Sequence, residues 1–81
     1  MNVPRNYPED SEAAQHIAKW MRKVMERRGW DQSRLAEELE INKATVSRML
    51  SGGRGVGVGL ALRISRRLLI DPYALLFTDP Q

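Results

Sequence analysis

Two short helical patterns separated by three residues constrain this chain more than any other feature. Asp31 precedes Leu35, Ala36 and Leu39 on one side of a helix, and Asn42 precedes Val46, Met49 and Leu50 on one side of the next. Asp and Asn are favoured helix caps because their side-chain oxygens accept from backbone N–H groups two or three residues on. The spacing predicts helices over about 32–39 and 43–50. Only Glu40, Ile41 and Asn42 lie between them, and a connection of that length makes the two helices cross steeply.

The flanking segments read as helices too. Ala14, Ile17, Ala18, Met21, Val24 and Met25 recur at three- and four-residue steps, predicting a helix over about 11–28 capped by Asp10 or Ser11. Arg27 and Arg28 suit its dipole-negative end, and Gly29 supplies a left-handed stop. Beyond a glycine-rich loop, Leu60, Ala61, Ile64 and Leu68 predict a helix over about 58–68. Asp71-Pro72 opens a last short helix, about 72–77. Nothing alternates with period two. The expectation is all-α, with five helices over residues 11–77. Residues 1–10 are expected to form a flexible N-terminal arm, and 78–81 a tail. At 81 residues the chain has room for one modest core. Without cysteine and with a single histidine, it has no disulfide framework and no thiolate or His-rich metal site. No nucleophile–base pair points to an enzyme, and no cofactor is expected. The glycine-rich loop lacks a preceding strand and the Gly-Lys-Ser/Thr or Gly-x-Gly-x-x-Gly spacing of nucleotide loops. No apolar run is long enough to span a bilayer, and a cytoplasmic, nucleoid-associated protein is expected.

Net charge is +3, which favours an anionic partner, and its distribution matters more than the sum. Residues 32–51 are neutral, with Arg34, Lys43 and Arg48 against Glu37, Glu38 and Glu40. Residues 52–68 carry Arg54, Arg63, Arg66 and Arg67 with no acid.

Residues 32–51 resemble the helix-turn-helix of the phage repressor and Cro (Xre-type) regulators. Leu35, Ala36, Leu39, Ile41, Val46 and Met49 fall on all six apolar positions of that motif, and Ala36 falls where the two helices touch. The likeness extends over about residues 17–76. It takes in Gly29 and Trp30 before the motif and Leu60, Ala61, Leu62, Ile64, Leu68, Ile70, Leu75 and Leu76 after it. The resemblance implies a five-helix, lambda-repressor-like domain that binds double-stranded DNA with its third helix in the major groove. Lys43 and Arg48 are then candidates for guanine O6 and N7, Ala44 for a thymine methyl, Ser47 for either role and Thr45 for a phosphate. Gln32 matches the family's phosphate contact at the start of helix 2. Ser51, Gly52 and Arg54 match its second backbone contact. The competing reading for Arg48 is a carboxylate partner, and for Lys43 phosphate alone.

Departures from the family pattern carry their own expectations. Glu40 and Leu69 stand where glycine is usual, at a cost on the order of 1 kcal/mol each if φ is positive. Met25 and Leu50 replace an ion pair that joins helices 1 and 3 in the family, and are expected to meet across that interface. Trp30 is expected in the core, Trp20 at the edge of the helix 1 stripe and His16 in water. Arg63, Arg66 and Arg67 are expected on a solvated face. Leu62, Leu69 and Phe77 are apolar residues left over once the core is assigned. They are the candidate surface of a homodimer whose half-sites lie about 34–36 Å apart on a pseudo-palindromic operator. The implied role is transcriptional regulation of repressor or Cro type. The alternatives are an antitoxin with a toxin partner, a restriction-modification controller, or a protein-interaction module on the same fold.

Overall fold

The computed structural model describes residues 8–52 and 56–81. Arg54 and residues 1–7 of the expected arm lie outside them. Five α-helices follow one another: α1 Pro8–Arg28, α2 Gln32–Leu39, α3 Lys43–Leu50, α4 Val58–Leu68 and α5 Pro72–Phe77. The described residues contain no strand. Four of the five sets of bounds agree with the sequence reading. The exception is α1, which begins at Pro8 rather than residue 11, so residues 8–10 are helical and not part of an arm. Proline is at home in a first turn, where its missing N–H would have no partner and its φ is already helical. Glu9 and Asp10 add favourable charge there.

One core unites the helices. Ile17, Met21 and Val24 of α1 meet Leu35 and Leu39 of α2, Val46, Met49 and Leu50 of α3, Ala61, Ile64 and Leu68 of α4 and Leu75 of α5. Met25 packs on this cluster from α1, and Leu50 belongs to it. Helix α1 lies against α3 and α5, α2 against α3 and α4, and α4 against α5. The buried hydroxyl of Ser65 is satisfied by donating to Ile70 O at 2.6 Å.

Three helix ends are turned by a left-handed residue: Gly29 (φ 66°), Glu40 (φ 55°) and Leu69 (φ 56°). In each case the next residue's N–H reaches back to a carbonyl five residues earlier, namely Trp30 to Met25, Ile41 to Ala36 and Ile70 to Ser65. This is the Schellman closure. The turn at Glu40 is therefore not reshaped by the missing glycine. Its side chain extends to α4 instead, where the Arg67 guanidinium donates to the Glu40 carboxylate.

The C-terminal residues lie along α1 rather than trailing free. Trp20 Nε1 donates to Ala74 O (3.0 Å) and Thr78 O (2.9 Å), and Lys19 Nζ lies 3.2 Å from Asp79. Arg27 donates to Gln81 O at 2.6 Å. His16, expected in water, sits with Nδ1 2.8 Å from Asp79 Oδ1 and a mostly covered side chain. A pairing across 63 residues of sequence leaves no local trace. The hydrogen bond from His16, followed by that from Lys19, holds the Asp79 carboxyl below the usual carboxylate range.

Candidate nucleic-acid interface

Helices α2 and α3 are both capped as their sequences predict. Asp31 accepts from the Arg34 N–H at 2.8 Å and Asn42 from the Thr45 N–H at 2.8 Å. Capping fixes where each helix starts, and so which residues point outward. Val46, Met49 and Leu50 are buried. Lys43, Ala44, Ser47 and Arg48 are exposed on the other side, forming a ridge that no part of the described chain covers.

The ridge differs in how its side chains are held. Lys43 and Ser47 have no side-chain partner among the described residues. Arg48 makes one long contact, donating to Thr45 Oγ1 at 3.3 Å. No carboxylate pairs with it among the described residues, so the competing ion-pair reading for Arg48 finds no support. Thr45 is half-buried, and its hydroxyl donates to Asn42 Oδ1 at 2.8 Å as part of the cap. Ser51 is exposed but spends its proton on Arg48 O at 2.8 Å. Gln32 opens α2, half-buried and without a side-chain partner among the described residues. Gly52 adopts φ 74°, and a β-carbon there would meet open space, so backbone conformation alone is what favours glycine.

Around the ridge the charges are arranged in ways the sequence does not reveal. Two of the three acids that make residues 32–51 neutral are neutralised locally: Glu38 by Arg34 at 2.9 Å and Glu40 by Arg67. Arg63 and Arg67 do not form a merely solvated face. Arg63 donates to Leu39 O (3.3 Å) and Glu40 O (3.0 Å), so both arginines engage the turn between α2 and α3. Arg66 alone of the three is exposed without a partner among the described residues. Trp30, expected in the core, is only half-buried. Its ring packs on the core while the Arg28 and Arg34 guanidinium carbons lie 4.9 and 5.7 Å from its centroid.

Leu62 and Phe77, with Leu69 at the end of α4, are all exposed. Tyr73, which the sequence reading passes over, is exposed beside Phe77, with ring centroids 4.8 Å apart. Its position four residues before Phe77 on one helix was the available signal.

Two capped helices crossing at a three-residue turn, with the second presenting a basic and polar outer face, define a helix-turn-helix DNA-binding domain. The Helix-turn-helix family profile matches residues 21–75, most of the chain, and the chain belongs to this family in its Xre/Cro-like form. No curated protein and no solved structure matches it. No helix among the described residues is long and apolar enough to cross a membrane.

Proposed function

We propose that the protein is a sequence-specific transcriptional regulator of repressor or Cro type, acting as a homodimer on a pseudo-palindromic operator. The observation that carries this reading is the exposed ridge of Lys43, Ala44, Ser47 and Arg48, backed by the fully buried Val46 and Met49. Arg48 and Lys43 donate to guanine edges, Ala44 meets a thymine methyl, and Ser47 serves either base. Gln32 holds a phosphate at the start of α2, where N–H groups and the helix dipole favour an anion. Thr45, Ser51 and Arg54 complete the backbone contacts. Thr45 and Ser51 act secondarily, because their hydroxyl protons are already engaged within the chain. Leu62, Leu69 and Phe77 form the dimer contact, with Tyr73 joining them.

The exposure of those apolar residues favours assembly, since α5 does not bury them within the chain. The local pairing of Glu38 and Glu40 weakens the alternative of a protein-interaction module that would dock through its acidic residues. Selection of bound duplexes from a random pool, followed by titration at several salt concentrations, tests the proposal. Wild type should select a two-fold symmetric site, and its affinity should fall steeply with salt. Arg48→Ala should lose about 1–3 kcal/mol on the selected duplex and relax the choice of base. Gln32→Ala should weaken selected and random duplexes alike. Equal losses for both variants on both duplexes would show that Arg48 reads no base.

A further inference from the structure

The last carbonyls of a helix have no partner within it, and what takes them up determines how firmly the next segment is aimed. At the end of α3 the four are accounted for. Ser47 O receives the Ser51 N–H (3.2 Å), Arg48 O the Ser51 hydroxyl (2.8 Å) and Met49 O the Gly52 N–H (3.2 Å). Leu50 O is taken by the Arg22 guanidinium at 2.5 Å, from α1. At the end of α2, Ala36 O and Glu37 O receive the Ile41 and Glu40 N–H groups. Leu39 O and Glu40 O both go to Nη1 of Arg63, from α4. Each of the two motif helices is thus held at its C-terminal end by an arginine from a helix outside the motif. The cation lies where the helix dipole is negative, and its planar fork stays charged at any working pH.

The two helices have eight residues each, too few to be stable alone, and the turn between them contains a left-handed non-glycine residue. Their mutual angle depends on the core they share and on what grips their ends from outside. We infer that Arg22 and Arg63 are positioning residues for DNA recognition, fixing the angle at which α3 presents Lys43, Ser47 and Arg48 without themselves touching the duplex. This rests on the reading that α3 binds DNA.

The test uses the full chain with Arg22→Ala, Arg63→Ala and Arg63→Lys, at a temperature where circular dichroism shows each variant folded. The probes are the duplex that wild type selects from a random pool and a random-sequence duplex, each titrated across salt. Amide exchange of the free protein is followed in parallel. Both alanine variants should bind the selected duplex about tenfold more weakly (about 1.4 kcal/mol). They should lose less on random DNA and keep the wild-type dependence on salt, since no phosphate contact is removed. For Arg63→Ala, the Ile41 and Thr45 amides should exchange faster while core amides such as Leu35 stay protected. Arg63→Lys keeps one donor and should recover part of the loss, even if an alanine variant fails to fold. The inference is overturned if affinity for the selected duplex is unchanged. A salt slope that falls by about 1 also overturns it, because the arginine would then be a phosphate contact. If wild type binds neither duplex, the DNA reading fails, and unchanged exchange at Ile41 would separately refute the grip on the turn.

Discussion

Glu40 and Leu69 are a natural control for one another. Their backbones are almost identical, with φ 55° and ψ 46° at Glu40 and φ 56° and ψ 46° at Leu69. Each closes a helix in the conformation that glycine adopts without strain. Placing a side chain there costs on the order of 1 kcal/mol or somewhat more. Substitution by glycine recovers that cost but adds about 0.5–1 kcal/mol of chain entropy to lose on folding. Leu69 is 88% exposed, so little apolar burial is lost with it. Leu69→Gly should therefore leave a net stabilisation of up to about 1 kcal/mol, raising Tm by up to about 8 °C for a domain of this size. Glu40→Gly gains the same backbone term but loses the pair with Arg67. Both partners are largely exposed, so that pair contributes about 0.2–1 kcal/mol, and the net change should be close to zero. The assay is thermal and urea unfolding followed by circular dichroism, on dilute protein so that self-association does not intrude. At about 1 M salt, where the Debye length is about 3 Å, the pair is screened and Glu40→Gly should approach Leu69→Gly. The reasoning fails if Leu69→Gly lowers Tm, or if Glu40→Gly is the more stabilising of the two at low salt.

Two further outcomes can be checked with the same apparatus. Leu35 is fully buried where α2 meets the core, so Leu35→Ala should cost about 2–5 kcal/mol, visible as a lower urea midpoint. Against a total of about 5–15 kcal/mol, a substantial unfolded fraction is expected near 37 °C. Asp79 should act as an acid-sensitive latch for the C-terminal residues. Its folded-state value lies below the ordinary 3.8, so its contribution is present above that pH and is lost as pH falls through the lower, folded value. Trp20 fluorescence should report the release, because its indole N–H is bonded to Thr78 O. Asp79→Asn should remove the acid step, and a step that persists in that variant would assign it elsewhere.

The helical framework was legible because its signals are local. Caps at Asp31, Asn42 and Asp71 and stripes at three- and four-residue spacing placed α2 to α5. The start of α1 at Pro8 rather than near residue 11 is not legible, because proline stops a helix in most positions and is favoured only in its first turn. The inward and outward sides of α3 followed from spacing alone. What remained hidden were long-range polar contacts: His16 with Asp79, Arg63 with the α2 terminus and Arg22 with the α3 terminus. Arginine or histidine on an outer helical position looks the same in sequence whether it is solvated or reaches across to another helix. Trp30 is half-buried rather than fully in the core for a related reason, since its ring is shared between the core and two guanidinium groups.

Leu69 breaks two local rules at once. It is a large apolar side chain left in solvent and a non-glycine residue at positive φ. Glu40 breaks the second rule too, but its side chain has a partner in Arg67, whereas Leu69 has only its exposed neighbourhood. Departures from local preference that nothing within the chain offsets are expected where a residue serves something outside it. Leu62 on α4 and Tyr73 and Phe77 on α5 are exposed apolar or aromatic residues as well. Leu69→Gly is then a variant whose two readouts should move in opposite directions. The isolated chain should become more stable, while self-association by sedimentation, and with it the affinity for a two-fold symmetric duplex, should weaken. Phe77→Ala should weaken association without the gain in stability. If Leu69→Gly associates as well as wild type, the leucine is a tolerated defect of the turn, and the proposed dimer contact does not include it.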